Sequence, residues 1–92
     1  MRPKRKRVFI AREIPDAELT TLIAEISELI KTHRTTTGGS LEDFAYEIGI
    51  SRSTLVRAES GGDMVLSNFL RIIYGLNMEP EDFFKELKKK QK

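Results

Sequence analysis

One short segment, residues 51–60, concentrates side chains that could hydrogen-bond to nucleic acid. If the segment is helical, with about 100° per residue, Leu55 and Ala58 share one face. The opposite face and its flanks carry, in chain order, Arg52, Ser53, Thr54, Val56, Arg57 and Ser60. Serine, threonine and arginine hydrogen-bond to base edges and phosphates, and arginine can donate two bonds to one guanine. Because the solvated face of an ordinary surface helix has a similar composition, the neighbouring elements must decide between these interpretations.

The residues just before this segment predict a second helix and a tight turn. Four apolar residues follow the i, i+3, i+4, i+7 spacing of an amphipathic helix: Leu41, Phe44, Ala45 and Ile48. Ser40 and Ser51 are suited to cap the two helices by accepting hydrogen bonds from free backbone amides. Gly49 permits the positive φ that a sharp turn needs. These signals predict a helix-turn-helix over residues 40–61 and favour the nucleic-acid interpretation.

The stretch SLEDFAYEIGISRSTLVRAESG resembles the helix-turn-helix of the Cro/CI-type (XRE-like) phage-repressor family. The matching features are Ser40, Phe44-Ala45, Gly49-Ile50-Ser51, Leu55 and Glu59-x-Gly61, and the similarity extends over residues 19–87. The resemblance implies an all-α, five-helix, lambda-repressor-like DNA-binding domain. It also implies a small transcriptional regulator that binds double-stranded DNA in a sequence-specific way, with the helix of residues 51–60 in the major groove.

The same resemblance assigns roles to individual residues. It implies base contacts by Arg52, Ser53, Thr54 and Arg57, and phosphate contacts by Ser40 and Ser51. Two features depart from the family pattern. Leu41 stands where the family often has a glutamine that contacts DNA. The family also pairs the glutamate at position 59 with an arginine of the first helix, and the count along this chain leaves Ile30 and Arg34 as alternatives at that place.

The start of the chain is strongly basic. We expect residues 1–15 to form a basic arm in which Lys4, Arg5, Lys6 and Arg7 contact phosphates or enter the minor groove. A solubilising tail without contacts is the alternative. The apolar run Val8-Phe9-Ile10 suits a short strand, which would pack on the domain or pair with a second subunit.

The rest of the chain predicts three further helices in a domain of residues 16–87, followed by a frayed basic tail of residues 88–92. Pro15 and Asp16 mark the start of the first helix, which ends before the threonines and glycines of residues 35–39. Its core stripe is Leu19, Leu22, Ile23, Ile26, Leu29 and Ile30. The fourth helix is expected to be capped by Asp63 and to end near Asn77, and the fifth to begin at Pro80. Phe83, Phe84 and Leu87 would close the core or contribute to a dimer face.

Composition excludes several classes of protein. The 92 residues include no cysteine, so disulfides and cysteine zinc sites are absent, and the single histidine, His33, has no ligand partner in sight. We find no nucleophile with a positioned base, no phosphate-binding glycine loop and no metal cluster, so we expect no enzyme activity, cofactor or metal. Apolar runs are too short for a membrane span or a secretory signal. We therefore expect a cytoplasmic, bacterial or phage-derived protein, associated with the nucleoid when bound to DNA.

Charge is distributed unevenly along the chain. Residues 13–84 hold five basic and thirteen acidic residues, a formal charge of −8, whereas both ends are basic. The proposed recognition helix and the two ends must therefore supply the attraction to DNA. Cro-like DNA-binding proteins, which the chain resembles, bind as two-fold dimers. We therefore expect a homodimer. The alternative is an antitoxin-like or accessory module that keeps the fold but binds a toxin or another protein.

Overall fold

A computed structural model describes residues 11–91 of the chain, and the side chains of residues 11–88. This part is all-α and contains five helices: α1 (Asp16–Thr36), α2 (Leu41–Ile48), α3 (Arg52–Glu59), α4 (Leu66–Gly75) and α5 (Pro80–Gln91). The predicted fold class is thus confirmed. The expected strand at Val8-Phe9-Ile10 lies outside the described residues. None of the described helices is both long and apolar enough to cross a membrane.

The predicted turn and caps of the helix-turn-helix are confirmed. Ser40 accepts a hydrogen bond from the Asp43 amide at 3.0 Å, and Ser51 accepts one from the Thr54 amide at 3.1 Å. Gly49 ends α2 in the left-handed conformation, with φ of 81°. Its positive φ lets the chain change direction within the three residues that separate the helices, so α2 and α3 pack against each other.

The first helix is longer at its C-terminal end than the sequence predicts. Thr35 and Thr36 belong to α1, although β-branched residues next to glycines suggested a break. Their hydroxyls donate to the carbonyls of Thr32 and His33, at 2.9 and 2.7 Å. Each hydroxyl bonds to a carbonyl three residues earlier, so both threonine side chains are satisfied within the last turn of the helix. Gly38, with φ of 87°, then lies beyond its end.

The core lies between the C-terminal half of α1 and the other four helices. Its fully buried members are Ile30, Leu55, Ala58, Ile72, Ile73 and Phe83. Phe69 and Phe83 meet edge to face, with ring centroids 5.6 Å apart. Gly75 lets α4 approach α2 closely, because a Cβ there would lie 2.4 Å from a methyl carbon of Ile48. No buried polar side-chain atom of the described residues lacks a hydrogen-bond partner.

Three sequence predictions are wrong in detail. Leu19 is 43% exposed, and Leu22 and Ile23 are only partly buried and lie outside the core, because the N-terminal half of α1 extends beyond the helices that cover its C-terminal half. The N-cap of α4 is Val65 and not Asp63, and no side chain caps this helix. Finally, α5 continues to Gln91, since lysine and glutamine favour helix, so residues 88–91 are not a frayed coil.

Candidate nucleic-acid interface

Helix α3 divides into a buried side and an exposed side, as its sequence predicts. Leu55 and Ala58 are completely buried and anchor the helix against α1 and α2. Arg52, Ser53 and Arg57 are exposed, whereas Thr54 and Val56 are partly buried. The buried side therefore fixes the helix in place, and the other side exposes two arginines and a serine to solvent.

The C-terminal end of α3 is fixed to α1 by a buried ion pair. Arg34 donates to Glu59 through Nε and, at 3.1 Å, through Nη2, so the pair is bidentate. Only 10% of the Arg34 side chain and 5% of the Glu59 side chain are exposed. This contact decides between the two alternatives left by the sequence: Arg34, and not Ile30, is the partner of Glu59. A bidentate pair fixes orientation as well as distance, so α3 cannot rotate freely about its axis.

A second contact holds the turn that follows α3. The Ser27 hydroxyl accepts a hydrogen bond from the Gly61 amide at 3.0 Å, and Ser27 is almost completely buried. Sequence reasoning missed this residue, although a signal was present. Ser27 lies four residues after Ile23 and three before Ile30, so it is a polar residue on the inward side of α1.

Comparison with known proteins agrees with this geometry. No protein-family model matches the chain, and no curated protein is significantly similar to it. Among solved structures, the wild-type restriction-modification controller protein C.Esp1396I is 27% identical, with a TM-score of 0.69 over 75% of this chain and 91% of that chain. The C.Esp1396I tetramer in complex with its natural 35 base-pair operator is 28% identical, with a TM-score of 0.67 over 74% of this chain and 91% of that chain. The resemblance to Cro/CI-type helix-turn-helix regulators is thus confirmed at the level of these structural neighbours.

The first turn of α3 is tied to the first turn of α2. Arg52 donates through Nε to Oε2 of Glu42 at 2.9 Å, and both side chains are about two-thirds exposed, at 63% and 67%. Since Glu42 comes two residues after Ser40, the two predicted contact regions lie next to each other. Sequence analysis did not identify Glu42 as a partner, because the two residues are ten positions apart on different helices.

The hydroxyls at the start of α3 form a small network. Ser51 donates to Oγ1 of Thr54 at 2.8 Å and lies 3.3 Å from Oγ of Ser53. The Thr54 side chain is therefore held in place, and its own hydroxyl proton remains available. Ser51 already uses its proton within the protein, so donation to a phosphate would require this hydroxyl to rotate.

The side chain of Arg57 lies against the glycine turn. A Cβ added to Gly62 would lie 2.3 Å from Cγ of Arg57, and the Gly62 amide donates to the Arg57 carbonyl at 3.0 Å. The absence of a side chain at position 62 thus leaves the space that the arginine stem fills. Asn68 of α4 lines the adjoining cleft together with Ser53, Thr54 and Arg57. Neither Gly62 nor Asn68 was identified as a functional residue from the sequence.

The structure brings most of the sequence-predicted contact residues to one region. Arg52, Ser53, Thr54 and Arg57 lie along α3, and Ser51 and Ser40 cap the two adjacent helix starts. Lys4, Arg5, Lys6 and Arg7 lie outside the described residues. Among the residues that the structure describes, no group of three histidine, cysteine or carboxylate side chains could hold a metal ion. His33 instead lies 2.8 Å from Oε1 of Glu86, where it links α1 to α5.

Proposed function

We propose that this protein is a sequence-specific regulator that binds double-stranded DNA with α3 in the major groove. The observation that carries the proposal is the division of α3, whose buried side is anchored while Arg52 and Arg57 remain exposed on the other. The likeness to C.Esp1396I, which has been solved on its operator, supports the same use of the fold. The structural neighbours of this chain are regulators and not enzymes. We place the protein in the cytoplasm, on the nucleoid when it is bound to DNA.

We assign the contacts as the sequence suggests. Arg52, Ser53, Thr54 and Arg57 would read base edges, with the arginines contributing most of the discrimination, about 1–3 kcal/mol for each bidentate pair with guanine. Ser40 and Ser51 would contact phosphates near the two helix starts. The basic arm, residues 1–15, would add phosphate contacts through Lys4, Arg5, Lys6 and Arg7. These contacts offset the acidic body, whose charge is −8 over residues 13–84.

The test of this function is a selection of sites from random duplex DNA, followed by a salt titration on the enriched site. A regulator should enrich one sequence with two-fold symmetry, and log affinity should fall linearly with log salt by about 0.9 per phosphate contacted. Absence of enrichment together with negligible DNA binding at low salt would favour the protein-interaction alternative, in which a toxin or another protein is the partner.

We infer that the functional unit is a homodimer and that its contact surface includes an apolar patch formed by Ile23, Leu66 and Phe84. Leu66 is 70% exposed and Phe84 is 46% exposed, and both line one groove with Ile23. An exposed apolar patch marks an interaction site, and a two-fold DNA site requires a second copy of the chain. Residues 62–64, which follow α3, line the same groove, so pairing there would place both α3 helices near the dimer interface.

Light scattering on matched variants tests this surface. Leu66→Ser and Phe84→Ser should shift the protein toward monomer and weaken operator binding. Tyr74→Ser, which changes an exposed aromatic residue at the other end of α4, should leave the mass unchanged. A dimer that persists in both patch variants would contradict the assignment of the interface.

A further inference from the structure

An acidic side chain lies among the residues proposed to contact DNA. Glu42 belongs to the first turn of α2, directly after the Ser40 cap, and its carboxylate is bonded to Arg52 at the start of α3. A carboxylate near phosphates weakens DNA binding through repulsion. Because both partners are mostly exposed, their ion pair also contributes little to the stability of the fold. The helix dipole favours an acidic residue in this turn, but it does not account for the bond between Glu42 and Arg52.

The geometry of the pair provides a reason. Arginine has five N–H donors in a planar fork, and Glu42 engages only the one on Nε. The structure shows no other hydrogen-bond partner for Arg52 among the described residues, so the two Nη groups remain available. Reading of guanine by arginine takes two parallel donors, and the Nη groups at the tip of the fork form such a pair.

We propose that Glu42 is a specificity-determining positioning residue that holds Arg52 so that its two Nη groups meet a base edge. The proposal rests on the function proposed above. An unrestrained arginine at the start of α3 can turn to the phosphates on either side, where it adds affinity for any sequence. Because Glu42 holds Nε, turning the Arg52 side chain toward a phosphate would break the ion pair. Glu42 thus lowers affinity for random DNA and raises discrimination at the base that Arg52 contacts.

Matched variants separate positioning from simple charge. Glu42→Ala removes the partner of Arg52. Asp43→Ala removes the same charge from the adjacent position, which is also exposed and whose side chain has no bond to Arg52. Arg52→Ala identifies the base position that this arginine reads, and the double variant Glu42→Ala/Arg52→Ala shows whether Glu42 acts through it. Each protein is carried through site selection from random duplex DNA, and its affinity for a random duplex is measured.

The expected pattern is specific to one base position. Arg52→Ala should abolish a guanine preference of roughly 10-fold at one position of each half-site. Glu42→Ala should reduce the preference at that position by about threefold or more, leave other positions unchanged, and add nothing in the Arg52→Ala background. Asp43→Ala should keep the preference. Both acidic variants should bind random duplex more tightly, because each removes one negative charge.

Three outcomes would overturn the proposal, and they can be told apart. If Glu42→Ala keeps the guanine preference that Arg52→Ala loses, Glu42 does not position Arg52, although the DNA-binding function stands. If Arg52→Ala keeps every preference, there is no base contact for Glu42 to orient. If the wild-type protein enriches no sequence at all, the proposed function fails, and the role of Glu42 fails with it.

Discussion

The two ends of α3 are held in different ways. The C-terminal end is tied to α1 by the buried Arg34–Glu59 pair and by the Ser27–Gly61 hydrogen bond. The N-terminal end is held by exposed contacts, the Ser51 cap and the Arg52–Glu42 pair. Burial makes the first set expensive to break, whereas water and salt weaken the second. The difference indicates that the C-terminal end fixes the position of α3. The side chains at the N-terminal end can exchange their hydrogen-bond partners more easily.

The largest expected effect concerns the buried pair. Arg34→Met leaves the Glu59 carboxylate buried without a partner, so we expect a loss of about 3–5 kcal/mol in the free energy of unfolding. Urea denaturation measures this loss. Adding Glu59→Met removes the uncompensated charge and should restore much of the stability. A single variant as stable as the wild type would show that the pair does not hold α3.

A smaller effect is expected at Ser27. Ser27→Ala removes the acceptor of the Gly61 amide and should lower the free energy of unfolding by about 1–3 kcal/mol. The matched control is Ser67→Ala, because Ser67 is an exposed serine in α4. Denaturation curves of both variants provide the comparison. If the two variants were equally stable, the Ser27 hydrogen bond would not help to hold the C-terminal end of α3.

Gly62→Ala should alter recognition as well as folding, because the new Cβ would also lie 3.2 Å from the Arg57 carbonyl oxygen. The new Cβ forces the Arg57 stem to move, so we expect about a 10-fold loss of base preference at the position that Arg57 reads. Gly39→Ala is the control, since a Cβ at position 39 meets nothing within 4 Å. Site selection with both variants measures the effect. Unchanged preference in Gly62→Ala would mean that this turn does not orient Arg57.

The smallest expected effect belongs to the exposed pair. Glu42→Ala should change the free energy of unfolding by less than about 1 kcal/mol, because both side chains are largely solvated. Urea denaturation of this variant next to Arg34→Met tests the contrast between the two ends directly. If Glu42→Ala lowered the free energy of unfolding as much as Arg34→Met does, the two ends of α3 would not differ in the way described.

The sequence predicted those parts of the molecule that depend on local chemistry. Ser40, Gly49 and Ser51 act through neighbouring backbone groups, so their roles could be identified from spacing alone. The contacts that orient α3 join residues far apart in the chain. Arg34 and Glu59 are 25 positions apart, and Ser27 and Gly61 are 34 apart. Their pairing depends on how α1 crosses α3, which a hydrophobic pattern does not specify.

The same reasoning explains the error at Leu19. Helical periodicity correctly placed Leu19 on the face that also carries Ile30, but periodicity cannot show how far along α1 the other helices reach. The other helices do not cover the N-terminal half of α1, so Leu19 is exposed while Ile30 is buried. Ile23, four residues later on the same stripe, is only partly buried and lines the apolar groove with Leu66 and Phe84.

The central claim is that the exposed side of α3 reads DNA sequence. Its most direct test is the ratio of affinities for the selected operator and for a random duplex, measured by fluorescence anisotropy at one salt concentration for wild type and Arg52→Ala/Arg57→Ala. We predict that the double variant remains folded and that this ratio falls by about 30-fold or more. A folded double variant with an unchanged ratio would contradict the account.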